Sequence, residues 1–137
     1  MSSARRKARI IALQALYEFD CVGHDPAAST IRMIEEKSLA EDGARFAMDI
    51  VGGVLQNVDE IDGRIGQFAP NYPVTQLAAV DKAILRLAIF EMMFHDGVPI
   101  KVVINEAVEL AKLFGSKNSS RFVNGVLGSI STVVPQR

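Results

Sequence analysis

Four cations open the chain, and this cluster is the first part of the sequence with side chains suited to binding a ligand. Arg5, Arg6, Lys7 and Arg9 all precede the first acidic residue, Glu18. Such side chains neutralise phosphates and release counterions, which gives nucleic-acid binding that weakens with salt. Cations at the start of a helix also oppose its dipole by about 0.3 to 1 kcal/mol each. The cluster therefore predicts an RNA or DNA contact, and the alternative is a solvated helix start.

A second polar segment lies near the end of the chain, between two helical patterns. Residues 115–122 read GSKNSSRF, which supplies the cations Lys117 and Arg121, the amide of Asn118 and the ring of Phe122. These groups suit backbone phosphates and the stacking of an unpaired base, so single-stranded RNA fits better than duplex DNA. From the residues alone, a helix-capping loop with Phe122 in the core is the favoured alternative.

The sequence gives little support to catalysis or to metal binding. His24 and His95 each precede an aspartate but lack a spaced third ligand. The motifs of a nucleophilic serine, a phosphate-binding loop and a dinucleotide-binding turn are missing from the sequence. Cys21 is the single cysteine, which excludes an internal disulfide and a multi-cysteine metal site. We expect no catalytic residue, no metal and no cofactor.

Composition and charge are those of one globular unit with an uneven charge distribution. The 137 residues are 49% hydrophobic and carry a net charge of -1. The ends are basic, whereas residues 35–62 hold eight acids against two cations, so a polyanion would meet the ends. The longest apolar stretch, 84–94, is shorter than the roughly 20 residues of a membrane span. With no signal-peptide pattern at the start, a cytoplasmic protein without a membrane partner is expected.

Apolar residues at helical spacing predict an all-α fold of about seven helices in two packed helical sub-bundles. The expected helices cover about 5–21, 26–37, 41–57, 58–67, a central helix near 80–92, one ending at 114 and one from 119. Pro70 and Pro73 mark a linker within a single 1–137 domain, which predicts an N-terminal sub-bundle of about 1–70 and a C-terminal one of about 74–137. Gly52 and Gly53 serve either close helix packing or a kink.

Several stretches of the chain resemble the NusB family of transcription antitermination factors. They are ARRKARIIALQALY at 4–17, AILRLAIFE at 83–91, VPIKVVINEAVELAK at 98–112, and FVNGVL at 122–127, spread along the chain in the family's order. The resemblance implies a NusB-like fold and no enzymatic activity. It also implies binding of boxA-type single-stranded RNA of nascent ribosomal RNA together with the ribosomal protein NusE, promoting read-through by RNA polymerase.

The resemblance also assigns residues to two surfaces. Arg5, Arg6, Lys7 and Arg9 match the family's basic RNA-contacting helix, and Lys117, Asn118, Arg121 and Phe122 match its second RNA-contacting region. The expected NusE contact lies on the central-helix side. Its candidates are Tyr17, Gln76, Leu77, Asp81 and Leu85.

Two other functions compete with this interpretation. A family of RNA cytosine methyltransferases carries a similar helical domain at its N-terminus, so the chain could be such an RNA-binding module. The apolar faces of the central helix could instead support a structural homodimer. A methyl-transfer assay separates the first alternative, and light scattering with and without RNA separates the second.

Overall fold

The computed structural model describes residues 3–135, with side chains from residue 4 onward. This part of the chain forms helices and one short 3-10 turn, and it contains no strand. The prediction of an all-α fold with about seven helices is therefore confirmed. In chain order the helices are α1 (Ser3–Val22), α2 (Pro26–Glu36), α3 (Glu41–Gln56), α4 (Val58–Phe68), α5 (Ala79–Phe94), α6 (Ile100–Phe114) and α7 (Ser119–Ser131), with the 3-10 turn at Val74–Gln76.

Helix α5 is the centre of the molecule, as its apolar sequence predicts. It is buried from Ala83 to Met92 except at Arg86, and it packs against α1, α3, α4, α6 and α7. A helix that is apolar on nearly every side must be covered by neighbours on every side. Most of the other helices pack an apolar face against α5, whereas α2 packs on α1 and α3.

The remaining helices group on two sides of α5. On one side α1, α2 and α3 pack against one another, and on the other side α6 packs against α7. Helix α4 precedes the linker at Pro70 and Pro73 but packs mainly against α5 and α7. The two sub-bundles thus stay a proposal, and α4 is best grouped with the second of them.

The close approach of α3 to α5 depends on one of the two adjacent glycines. A Cβ at Gly53 would overlap the ring of Phe90, whereas a Cβ at Gly52 would meet nothing within 4 Å. Gly53 therefore serves close packing, and Gly52 has no such role. Among the described helices, none combines the length and apolar character needed to cross a bilayer.

Candidate nucleic-acid interface

The four cations of α1 have different environments, and Arg9 is buried. Its side chain is 1% exposed, and its Nε and Nη2 donate to the two carboxylate oxygens of Glu91, each at 2.8 Å. Glu91 is itself fully buried in α5. Arg9 lies on the α1 face that carries Leu13 and Leu16, so it faces the protein interior. The expected phosphate contact by Arg9 is therefore corrected: its guanidinium joins α1 to α5 and does not reach solvent.

Arg6 lies one turn earlier and is held by an acid of α6. Its Nε and Nη2 donate to the carboxylate of Glu106 at 3.1 and 2.7 Å. The Arg6 side chain is 44% exposed and that of Glu106 only 7%. The hydrogen bonds from Arg6 lower the pKa of Glu106, although burial opposes them, and the same pair raises the pKa of Arg6. Arg6 thus presents an ordered cation at the surface.

Arg5 and Lys7 complete the basic cluster of α1. The guanidinium of Arg5 lies 4.2 Å from the ring centroid of Phe46, a cation–π distance, and its side chain is half-buried. Lys7 is exposed and forms no ion pair with any residue that the structure describes. The surface available to an anion consists of Lys7, the outer side of Arg6 and part of Arg5.

The loop between α6 and α7 presents the second set of polar groups. The amide of Ser116 donates to Oγ of the buried Ser119 at 2.8 Å, which fixes the loop against the start of α7. Lys117 and Asn118 project from this loop and are exposed. Arg121, in the first turn of α7, is also exposed. These three side chains are all accessible to a ligand.

Phe122 is neither free at the surface nor fully in the core. It packs partly against the core and meets the exposed ring of Tyr72 edge to face, with ring centroids 5.1 Å apart. Arg121 and both rings line one shallow cavity of about 270 Å³ beside the linker. A base could therefore contact the exposed part of Tyr72 and, to a smaller extent, that of Phe122.

The two polar regions border the same helix, α6. Arg6 meets α6 at Glu106, and Lys117 follows the end of α6 by three residues. At 1.5 Å per residue, residues 106 and 115 are about 13 Å apart along the helix axis. An extended strand of a few nucleotides spans such a distance.

Of the candidates for partner binding, Tyr17 lines a groove formed by α1, the start of α5 and the end of α6. This groove, of about 340 Å³, is mainly apolar, and Tyr17 is 39% and Phe114 47% exposed within it. Gln76 is exposed and Leu77 half-buried in the segment before α5. The lining residues are Ile10, Leu13, Gln14, Tyr17, Glu18, Val80 and Phe114.

Asp81 and Leu85 follow Val80 on α5 and differ from each other. Asp81 is half-buried, and its Oδ1 is shielded from solvent without a hydrogen-bond partner in the described part of the chain. Leu85 has no exposed surface. The expected contact of Leu85 with a partner is therefore corrected, because the side chain packs in the core around α5.

Several residues of these surfaces were not found by sequence reasoning. Glu91 and Glu106 hold the arginines of α1, Tyr72 meets Phe122, and Phe114 lines the apolar groove. A signal existed for the acids, because Glu91 interrupts an apolar run and Glu106 lies between buried positions 103 and 107. An acid on the buried face of a helix requires a cation nearby. No comparable signal pointed to Tyr72.

These features define a helical protein whose accessible functional groups are cations, amides and aromatic edges. A family model described as the NusB family matches residues 6–132. The chain therefore belongs to the NusB family. It is 49% identical over 132 residues to "Transcription antitermination protein NusB" of Roseiflexus sp. (strain RS-1), covering 95% of this chain and 93% of the relative. It is also 49% identical over 131 residues to the protein of the same name from Dehalococcoides mccartyi (strain ATCC BAA-2266 / KCTC 15142 / 195), covering 96% and 92%.

Solved structures of the same family share this fold. T. maritima NusB superimposes with a TM-score of 0.89 at 31% identity, covering 96% of this chain and 93% of that one. A crystal structure of the antitermination factors NusB and NusE in complex with dsRNA has a TM-score of 0.87 at 28% identity, covering 97% and 99%. Family membership confirms the prediction that the chain is not an enzyme. The relatives named above do not support the methyltransferase alternative.

Proposed function

We propose that this chain is a transcription antitermination factor that binds boxA-type RNA of nascent ribosomal RNA together with the ribosomal protein NusE. The observation that carries the proposal is the 49% identity, over 95% of the chain, to a transcription antitermination protein. The geometry is consistent with this role, because exposed cations lie next to α6 at Arg6 and after its end at Lys117, and an apolar groove lies beside α1. Read-through by RNA polymerase is part of the proposal.

The proposed RNA surface consists of Arg5, Arg6, Lys7, Lys117, Asn118, Arg121 and the edge of Phe122. The first and last of these are half-buried and the other five are exposed, which supports the assignment, and Arg9 is left out because it is buried. Few cations contribute, so the isolated protein should bind RNA weakly and the partner should tighten binding. Titration of a boxA-like RNA with and without NusE tests the proposed function, and an affinity that does not change with NusE would contradict it.

Replacing Lys7 or Lys117 with alanine is expected to weaken RNA binding and to lower the slope of log K against log salt by about 0.7 to 0.9 each. Each substitution removes one exposed cation from the proposed surface. The measurement is fluorescence anisotropy at four salt concentrations. Arg32→Ala is the charge-matched control, because Arg32 lies on α2 and pairs with Glu18 at 3.4 Å. The assigned surface would be rejected if Lys7→Ala left the slope unchanged, or if Arg32→Ala lowered the slope equally.

The RNA bound by this surface is proposed to be single-stranded. The loop at Lys117 and the aromatic edges beside Arg121 suit an unpaired strand. The relative solved with NusE holds dsRNA. Titrating a boxA-like strand alone and annealed to its complement decides between the two, and tighter binding of the duplex would overturn this part of the proposal.

The NusE contact is proposed to lie at the apolar groove between α1 and α5, with Tyr17, Gln76, Leu77 and Asp81 as candidates and Phe114 added from the structure. Phe114→Ala is expected to weaken NusE binding about tenfold or more, since a half-exposed aromatic in an apolar groove is a typical interface anchor. Calorimetric titration measures the effect. Phe94→Ala is the matched control, because Phe94 is 40% exposed on a different surface. Equal losses of NusE affinity in the two variants would show that the contact does not lie at this groove.

The protein acts in the cytoplasm as part of an RNA polymerase antitermination complex. The predicted homodimer through the central helix is corrected, because α5 is covered by its neighbours. A homodimer through the exposed apolar side chains Leu113 and Phe114 would compete with NusE for the same surface. Light scattering with and without NusE tests this competition, and a dimer that persists in the complex would contradict it.

A further inference from the structure

We infer that Glu106 is a positioning residue for RNA binding: it holds the guanidinium of Arg6 in one orientation, with its free edge available for a phosphate. This inference rests on the proposed function, because it concerns the same RNA surface. The position of Glu106 in the sequence suggests a nearby cation but not which one, since Glu106 lies on α6, 100 residues from Arg6 in the chain. The pairing exists only in the folded protein.

The geometry of the pair leaves part of Arg6 unused. The Nε and Nη2 of Arg6 donate to the two oxygens of Glu106, so the planar fork matches the carboxylate on one edge. Nη1 lies in the same plane but away from the Nε–Nη2 edge, and no described residue pairs with it. A phosphate can therefore accept from Nη1 while Glu106 keeps its bonds.

The contrast in burial favours positioning over a purely structural ion pair. Glu106 is 7% exposed and anchored in a packed helix, whereas Arg6 is 44% exposed. Arg9 is held mainly by Glu91, which it binds at 2.8 Å, whereas its ion pair with Glu106 is long, at 3.8 Å. A long arginine side chain loses rotamer freedom when it binds a phosphate, and an arginine already ordered loses less.

The negative charge of Glu106 also repels a phosphate and so weakens RNA binding, but this effect is smaller than the gain from ordering Arg6. Glu106 lies on the inner side of Arg6, so a phosphate at the outer edge would be about 6 to 7 Å away, and repulsion through water at that distance changes affinity about threefold. The entropy cost of ordering a free arginine side chain lowers the affinity about tenfold or more. Neutralising Glu106 should therefore weaken RNA binding overall, by about threefold.

The test is a double-mutant cycle of Glu106→Gln and Arg6→Lys on the full chain, with a boxA-like RNA oligonucleotide and NusE present. Arg6→Lys keeps the charge but loses the fork, and we expect it to weaken binding by about threefold as well. The double variant should bind RNA no more weakly than the single variant with the lower affinity, since each change removes the same ordered guanidinium. Additive losses, unchanged affinity or tighter binding by Glu106→Gln would each overturn the inference.

A spectroscopic readout separates positioning from loss of structure. In nitrogen-15 spectra of the free protein, the Nε–H signal of Arg6 should be resolved and rigid, and Glu106→Gln should make it mobile. The Nε–H of Arg9 serves as the internal control and should not change, because Glu91 holds it. An Arg6 signal that is mobile in the unaltered protein would overturn the inference, and so would one that stays rigid in Glu106→Gln.

The two readouts also separate this inference from the proposed function. If the unaltered protein fails to bind RNA, the proposed function is wrong, and the inference fails with it even if the Arg6 signal is rigid. If RNA binds but the losses in affinity of the two single variants are additive, only the role assigned to Glu106 is wrong. If Glu106→Gln does not fold, two other measurements decide: the mobility of Arg6 in the unaltered protein and the RNA affinity of Arg6→Lys. A rigid Arg6 together with weaker RNA binding by Arg6→Lys supports the positioning role. Any other result overturns the inference.

Discussion

Replacing Arg9 with alanine is expected to destabilise the fold by about 3 to 5 kcal/mol, because Glu91 would remain buried without its cation. Both side chains are at most 1% exposed and share two hydrogen bonds of 2.8 Å. The free energy of unfolding, measured by urea denaturation followed by circular dichroism, is the direct readout.

Two controls make this prediction specific to the buried pair. Lys7→Ala, at an exposed cation two residues earlier, should change the free energy of unfolding by less than about 0.5 kcal/mol. The double replacement Arg9→Met with Glu91→Leu should recover most of the stability, since apolar side chains of similar volume often replace a buried ion pair without loss. A stable Arg9→Ala variant with weakened RNA binding would mean that Arg9 reaches the surface after all.

Gly53→Ala is expected to destabilise the protein by about 1 to 3 kcal/mol, through overpacking between α3 and α5. The added methyl group would overlap the ring of Phe90, which is buried between the helices. Thermal unfolding monitored by circular dichroism measures the loss. Gly52→Ala is the matched control, because its methyl group meets nothing within 4 Å. It should stabilise the helix by up to about 1 kcal/mol, as alanine favours helix over glycine.

Equal effects at the two neighbouring positions would contradict this account. If both variants lost stability, the strain would lie in the backbone of α3 and not in the contact with Phe90. If neither did, the α3–α5 contact would tolerate a small shift. The sequence could not separate these glycines, because the choice depends on which of them faces α5.

Helix positions could be predicted from the sequence because apolar periodicity is a local property. The last helix begins at Ser119 as expected, and the central helix is the one that is apolar on nearly every side. The same property explains the error at Leu85: a helix covered on all sides gives no indication of which residues remain exposed. Which helix covers which face depends on the tertiary arrangement.

The burial of Arg9, by contrast, is indicated by its position in the sequence. Arg9 precedes Leu13 by four residues and Leu16 by seven, so it lies on the apolar stripe of α1. Counting it with its basic neighbours placed it on the surface. Its partner Glu91 interrupts an apolar run in α5. A cation on one apolar face and an acid on another together indicate a buried ion pair. The pair of Arg6 with Glu106 is harder to predict, because Arg6 is half-exposed.

The central claim is that the start of α1 and the segment from Lys117 to Phe122 bind one RNA strand. The most direct test is to titrate nitrogen-15-labelled protein, with unlabelled NusE present, with a single short boxA-like RNA and to follow each backbone amide. If both segments bind the same strand, the amides of residues 5–7 and 117–122 should shift together with the same midpoint. Shifts confined to one of the two segments, or different midpoints for the two, would contradict it.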